Sequence, residues 1–267
     1  MPDVYAHIQE VDASTVAKVA EAMEISAADP QHRAMVDAYV GELALPQGAR
    51  VLEIGCGTGA ISRMLASQMV VGDVLGVDPS AALVARAQEL SRGLVKLRFQ
   101  QGDGRNLPLA DGAFDAVVLH RVLSHVTHPN EVLAQAYRVL RSGGRLAAFD
   151  GDYATITLAT GDFDPIQTCV SAFAPSYITD PWIVRRLAGL VRSAGFVDER
   201  LRSFGYVQIE RPDYMVSIAD RGADALVAAG RIGRPLAEAL KAEARRRVET
   251  HSFFGHIAYA CLVARKP

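Results

Sequence analysis

Apolar residues recur at three- and four-residue steps through the first fifty positions, in STVAKVAEAMEIS (14–26) and DPQHRAMVDAYVGELAL (29–45). That spacing lines one face of a helix, and Ser14 and Asp29 stand where N-caps belong. Pro46 and Gly48 end the pattern. Between Arg50 and Asp150 two periods alternate. Apolar runs of strand length fall at RVLEIG (50–55), GDVLGVD (72–78), VKLRFQ (95–100), FDAVVLH (114–120) and GGRLAAFD (143–150). Amphipathic stretches separate them at AISRMLASQ (60–68), SAALVARAQELS (80–91) and NEVLAQAYRVLRS (130–142). Strands alternating with helices predict an α/β fold, a mostly parallel sheet covered by helices.

Beyond Asp150 the alternation pauses, and residues 152–180 are mixed in character. A helix is expected over DPWIVRRLAGLVRSAG (180–195), with Pro181 in its first turn and Gly195 at its end. FVDERLRSFGYVQIE (196–210) has strand character, a helical insertion runs from about 214 to 249, and HIAYACLVARK (256–266) predicts a closing strand. The chain shows no internal repeat or linker. A single domain spanning 1–267 is expected: an N-terminal helical lid over 1–48, a ligand-binding core over 49–151, and inserted substrate-side segments at 152–180 and 213–250.

Composition narrows the function classes. Half of the 267 residues are hydrophobic and the formal net charge is −2, as in ordinary globular proteins. That balance gives no electrostatic footprint for nucleic acid. The basic run Arg245-Arg246-Arg247 lies in a helical stretch and has the character of a solvated face. Cys56, Cys169 and Cys261 are odd in number and widely spaced, which suits neither a disulfide framework nor a zinc site. The opening MPDVYAHIQEVDAS lacks a basic segment followed by an apolar one, and no apolar run approaches the roughly 18 residues of a membrane span. A cytoplasmic protein is expected, without a metal, membrane or nucleic-acid partner; a homodimer is compatible with this reading.

The candidate chemistry begins where the first apolar strand runs into Gly55, Gly57 and Gly59. A strand, a glycine turn and a helix leave free backbone N–H groups aimed at a ligand, at the strand ends where open α/β sheets bind one. No Lys-Ser or Lys-Thr follows the loop, so it is not a nucleoside-triphosphate P-loop. Glu53 stands two residues before the first glycine; a carboxylate there repels a pyrophosphate and suits a cationic or amine-bearing ligand. Asp78 ends the second strand, where an acid can take two ribose hydroxyls, and Asp103 follows the third, where it could accept from an exocyclic amine. Taken singly each acid could be a solvated loop residue or a cap. Together around one glycine loop they indicate a nucleoside ligand, and the placement of Asp78 does not separate NAD from other nucleosides.

VLEIGCGTG, VDPS, GDGRNLPLADGAFDAVVLHRVLSHV and LRSGGRLAAFD, in that order, resemble the motif series of class I S-adenosylmethionine-dependent methyltransferases. The small-molecule group that includes the ubiquinone and menaquinone biosynthesis methyltransferases is the nearest in character. The resemblance covers roughly residues 30–151. It implies a Rossmann-like, doubly wound seven-stranded sheet whose last strand is antiparallel, inserted after the sixth, with helical insertions acting as a lid. It implies S-adenosyl-L-methionine as cofactor: Gly55, Gly57 and Gly59, with Cys56 and Thr58 between them, against its amino-acid part, and Glu53 ordering its ammonium group. Asp78 would bind the ribose, Pro79 and Ser80 would flank the adenine, and Asp103 would accept from the adenine amine beside Gly104 and Arg105. His120 would sit by the methionine portion, and Arg33 is placed where some relatives hold the carboxylate, a helix-surface arginine being an equal reading.

Methyl transfer from a sulfonium is largely a positioning task, with a base required where the acceptor must lose a proton. His120, Asp152, Tyr153 and His251 are the candidate catalytic residues, with Asp150, Tyr177 and His256 as further ionisable groups on the expected substrate side; His125 has a structural character. Aromatic residues in the inserted segments favour a small, partly apolar organic acceptor. Two other functions fit parts of the pattern: an NAD(P)-dependent oxidoreductase, which the acids at 53 and 103 and the glycine spacing disfavour, and a protein that binds S-adenosylmethionine without turning it over.

Overall fold

The computed structural model describes residues 3–267. Two helices, α1 (Ala13–Ala28) and α2 (Pro30–Glu42), lead into a run of alternating strands and helices: β1 (Ala49–Ile54), α3 (Ala60–Ala66), β2 (Val71–Asp78), α4 (Ala81–Leu90), β3 (Leu97–Gln101), β4 (Phe114–His120), α5 (Pro129–Val139) and β5 (Leu140–Thr157). The chain then forms α6 (Ile166–Tyr177), α7 (Ile183–Ser193), β6 (Val197–Gln208), α8 (Asp213–Ala228), α9 (Arg234–Glu249) and β7 (Gly255–Arg265).

The strands form one seven-stranded sheet in the order β3-β2-β1-β4-β5-β7-β6. β1 pairs in parallel with β2 and β4, whereas β7 is antiparallel to both β5 and β6. The last strand is therefore the antiparallel one, inserted between the fifth and the sixth. The inner strands are buried on both faces, which explains their near-continuous apolar runs. On one face Met35, Val36 and Tyr39 of α2 and Ile61 and Leu65 of α3 pack against Val51, Val118 and Phe149; on the other, α5 and α7 cover Leu52, Val117 and Leu146. The strand order reverses between β1 and β4, so the carboxyl ends of β1, β2 and β4 open onto the crevice where such sheets bind ligands.

Four local expectations change. Asp12, not Ser14, caps α1: its carboxylate accepts from the amides of Ser14 at 2.9 Å and Thr15 at 3.1 Å. Pro181 precedes α7 rather than opening it, because Asp180 turns the chain by accepting from the Trp182 amide at 3.1 Å. The mixed region 152–180 divides into a continuation of β5 to Thr157 and the helix α6. The 214–249 insertion divides at Gly230, whose φ of +66° suits glycine, and Pro235 starts the next helix. Asp29 caps α2 as expected, accepting from Gln31 and His32 amides. Among the described residues no helix is long and apolar enough to cross a membrane.

Candidate cofactor and acceptor site

The loop after β1 takes its shape from backbone that only glycine adopts without strain. Gly55, Gly57 and Gly59 have φ of +74°, +52° and +74°, and Gly59 opens α3 with no side-chain cap. Neighbours close in on all three: a Cβ on Gly55 would lie 2.4 Å from Val122, and one on Gly59 2.4 Å from Phe99. A Cβ on Gly57 would meet Met23 Sδ at 2.7 Å, so α1 lies over the loop. Arg63 fastens that helix in place, donating to both carboxylate oxygens of Glu24 at 2.8 and 2.6 Å and to the Thr58 carbonyl at 2.8 Å.

Asp78, at the end of β2, is buried, and its Oδ2 accepts from the Gly57 amide at 2.8 Å while Oδ1 accepts from the Ser80 amide at 2.9 Å. A carboxylate has about four acceptor positions, so two remain. Burial raises its pKa against those two amides. Glu53 is 1 % exposed and accepts from Ser62 Oγ. Burial pushes its carboxyl up to about 8, the Ser62 hydrogen bond opposes this, and the neighbouring Asp78 charge adds to it. Thr58 Oγ1 is buried without a hydrogen-bond partner among the described residues, which leaves one unmet polar atom inside the loop.

The remaining predicted positions divide. Asp103 is half exposed and gripped by its own neighbour, Arg105, at 2.6 to 3.1 Å, which lowers its pKa. Gly104 is pressed against Ile54, and a Cβ there would approach to 2.6 Å. Ser80 spends its hydroxyl capping α4 through the Leu83 amide at 3.3 Å. Pro79 is half-buried beside it, its carbonyl accepting from Gln101. Cys56 is buried and its thiol is raised well above its usual pKa by desolvation, so it is unreactive.

Arg33 is exposed on α2, and its neighbour His32, 2 % exposed, faces the sheet. His32 Nε2 lies 3.3 Å from His120 Nε2, and Tyr39 OH lies 3.0 Å from His120 Nδ1. Both imidazoles are held neutral, His32 with a pKa lowered to about 3 and His120 well below its usual value, desolvation being the main cause in each. His120 also stacks on Phe149 at 4.6 Å. Both of its ring nitrogens are thus engaged, and it is a poor base.

The other catalytic candidates fare similarly. Asp152 pairs with Arg185 at 3.0 Å. Tyr153 is buried and its hydroxyl is raised by desolvation. His251 is exposed in the turn after α9, at φ +54°, with no side-chain hydrogen bond among the described residues. Asp150 is buried and accepts from the amides of Ser124 and Gly151. His125 has the structural role its position suggested: its Nδ1 is 2.7 Å from Asp3 Oδ2, and Tyr5 packs on its ring. The same Asp3 oxygen accepts from the Thr179 amide and hydroxyl, tying the N-terminal segment across the opening.

Residues 52–148 match the family model described as a methyltransferase domain. The ubiquinone/menaquinone biosynthesis C-methyltransferase of Stutzerimonas stutzeri is 35% identical over 151 residues, 54% of this chain and 59% of that protein. The match spans about half the length of the curated relatives. The fold is shared with the YcgJ protein of Bacillus subtilis (TM-score 0.62, 18% identity, 88% of this chain and 100% of that one). It is shared too with the Haemonchus contortus phosphoethanolamine N-methyltransferase 2 solved with S-adenosyl-L-methionine (TM-score 0.56, 16% identity, 87% and 52% covered). The glycine loop and the strand-end acids Glu53, Asp78 and Asp103 all lie within the stretch that is similar to a methyltransferase domain.

Proposed function

We propose that the protein transfers a methyl group from S-adenosylmethionine to a small, partly apolar organic acceptor by in-line displacement. The observation that carries this reading is Asp78, which braces the glycine loop through Gly57 and keeps two acceptor positions for a vicinal diol. The loop fits the cofactor in a further respect: Thr58 Oγ1 is a buried polar atom in want of a partner. Glu53 and the loop amides would hold the amino-acid end, Asp78 the ribose, and Asp103 with Gly104 the adenine edge. Bound there, the cofactor supplies an electrophilic methyl group.

The chain's own part is positioning. Met23 and the Glu24–Arg63 pair close α1 over the loop and exclude water. His32, His120 and Tyr39 form a neutral, fully engaged chain that fixes the floor at the end of β4. His120, Asp152 and Tyr153 are engaged or buried, and His251 lies in an exposed turn, which favours an acceptor that ionises without help. The name of the S. stutzeri relative supports a quinol-like acceptor. Incubation with methyl-labelled S-adenosylmethionine and a panel of quinols, phenols and carboxylic acids tests this: label in an organic product is expected. Cofactor binding with no transfer to any of them would favour the non-catalytic reading.

A further inference from the structure

Arg121 has a backbone and a setting that the methyltransferase fold does not require. It follows β4 directly, and its φ of +59° is rare for a residue with a side chain, a strain that tends to persist where a function holds it. The strained backbone is anchored by its own amide, which donates to the Phe149 carbonyl at 2.7 Å. The guanidinium, partly buried, makes one hydrogen bond, to Ser26 Oγ at 3.1 Å near the end of α1. Among the described residues no carboxylate lies within ion-pair distance of it. The segments beside it carry tyrosines: Tyr5 packs on His125 at 4.6 Å, Tyr153 lies 6.5 Å from that ring, and Tyr259 stacks at 5.3 Å on Phe149, whose carbonyl Arg121 holds. Burial raises the hydroxyls of Tyr5, Tyr153 and Tyr259, so these are neutral and do not balance the charge. A second cation, Arg221, stacks on Phe173 and Tyr177 at 4.8 and 4.2 Å and also acts on Tyr5.

A partly buried guanidinium with one hydrogen bond and no carboxylate keeps donors free for an anion. Its five donors in a planar fork match a carboxylate or a phosphate through two parallel hydrogen bonds. Aromatic walls suit a flat, apolar body attached to that group. We infer that Arg121 is a substrate-binding residue, and that the acceptor is an aromatic or apolar molecule carrying an oxyanion, held by the Arg121 guanidinium beside these tyrosines. The oxyanion is a carboxylate or a phosphate. This rests on the methyltransferase reading above and adds the class of acceptor to it.

The test uses the full chain saturated with S-adenosylhomocysteine and four probes: benzoate, phenyl phosphate, and the neutral benzamide and benzyl alcohol. Failure of S-adenosylhomocysteine to bind the wild type would count against the methyltransferase reading itself; the probes are read only on the loaded protein. Calorimetry is expected to show at least one anion binding more than tenfold tighter than its neutral counterpart, and which anion wins identifies the oxyanion. In Arg121→Gln that preference disappears while S-adenosylhomocysteine affinity stays within about twofold. Arg121→Lys keeps a charge without the fork and is expected to retain part of the preference. Thermal unfolding of the unliganded protein gives the second readout. A binding arginine leaves the midpoint of Arg121→Gln unchanged or higher, because an unbalanced charge is gone. A lowered midpoint, equal binding of anions and neutral probes, or no binding of either anion to the loaded wild type overturns the proposal.

Discussion

The Gly57 amide donates to Asp78 Oδ2 across 2.8 Å, joining the loop after β1 to the end of β2. That one bond orders the glycine loop and aims the acid. Asp78→Ala leaves the amides of Gly57 and Ser80 buried without acceptors, each costing roughly 1–3 kcal/mol. Denaturant unfolding should show the loss of stability. Asp78→Asn keeps one acceptor oxygen and is expected to recover part of the stability but little of the cofactor affinity.

Glu53 gives the site a pH dependence. Its folded pKa, raised to about 8, lies above its unfolded value, so the folded state holds a proton that the unfolded state releases. Stability therefore falls as pH rises from the ordinary carboxylate range through about 8. A cationic ammonium beside Glu53 favours its ionised form, so cofactor affinity is expected to rise about tenfold between pH 6.5 and 8, with proton release. Titrations in buffers of different ionisation enthalpy measure that release, and Glu53→Gln should abolish both effects.

His32 and His120 act in the opposite direction. Both are held neutral below their unfolded pKa. The unfolded chain then binds more protons in acid, and stability is lost as pH falls below about 6.5, by about 1.4 kcal/mol per pH unit for each histidine. His32→Leu is expected to flatten the acid limb of a stability–pH curve, and Tyr39→Phe, which removes only the hydroxyl beside His120, to leave it steep.

The Glu24–Arg63 pair holds α1 over the loop while half exposed, so its contribution to global stability is small, within about 1 kcal/mol. Its effect should appear in exchange. Glu24→Gln is expected to raise the cofactor dissociation rate severalfold in stopped-flow measurements, with little change in unfolding midpoint.

The sheet and its glycine loop were legible because apolar runs, turn glycines and strand-end acids are local signals. β4 spans Phe114–His120 as the apolar run does. Periodicity also separates His32 from Arg33 on α2. His32, Met35, Val36 and Tyr39 share one helical stripe and are all buried, whereas Arg33 falls outside it. Ser14 has cap chemistry, but Asp12, two residues earlier, has the reach to accept from two amides and caps α1. Two features left no local trace. The Asp3–His125 pair joins residues 122 positions apart, and nothing in LHRVLSHV announces that Arg121 adopts a positive φ.

The central claim is that the glycine loop and Asp78 form the S-adenosylmethionine site, and calorimetric titration of the wild type and Asp78→Ala tests it most directly. S-adenosylhomocysteine is expected to bind the wild type with a Kd of roughly micromolar order and the variant at least tenfold more weakly, a loss of about 1.4 kcal/mol or more, with NAD and NADP giving no heat. Binding of NAD or NADP in place of the adenosyl compound, or equal affinity in the Asp78→Ala protein, would contradict it.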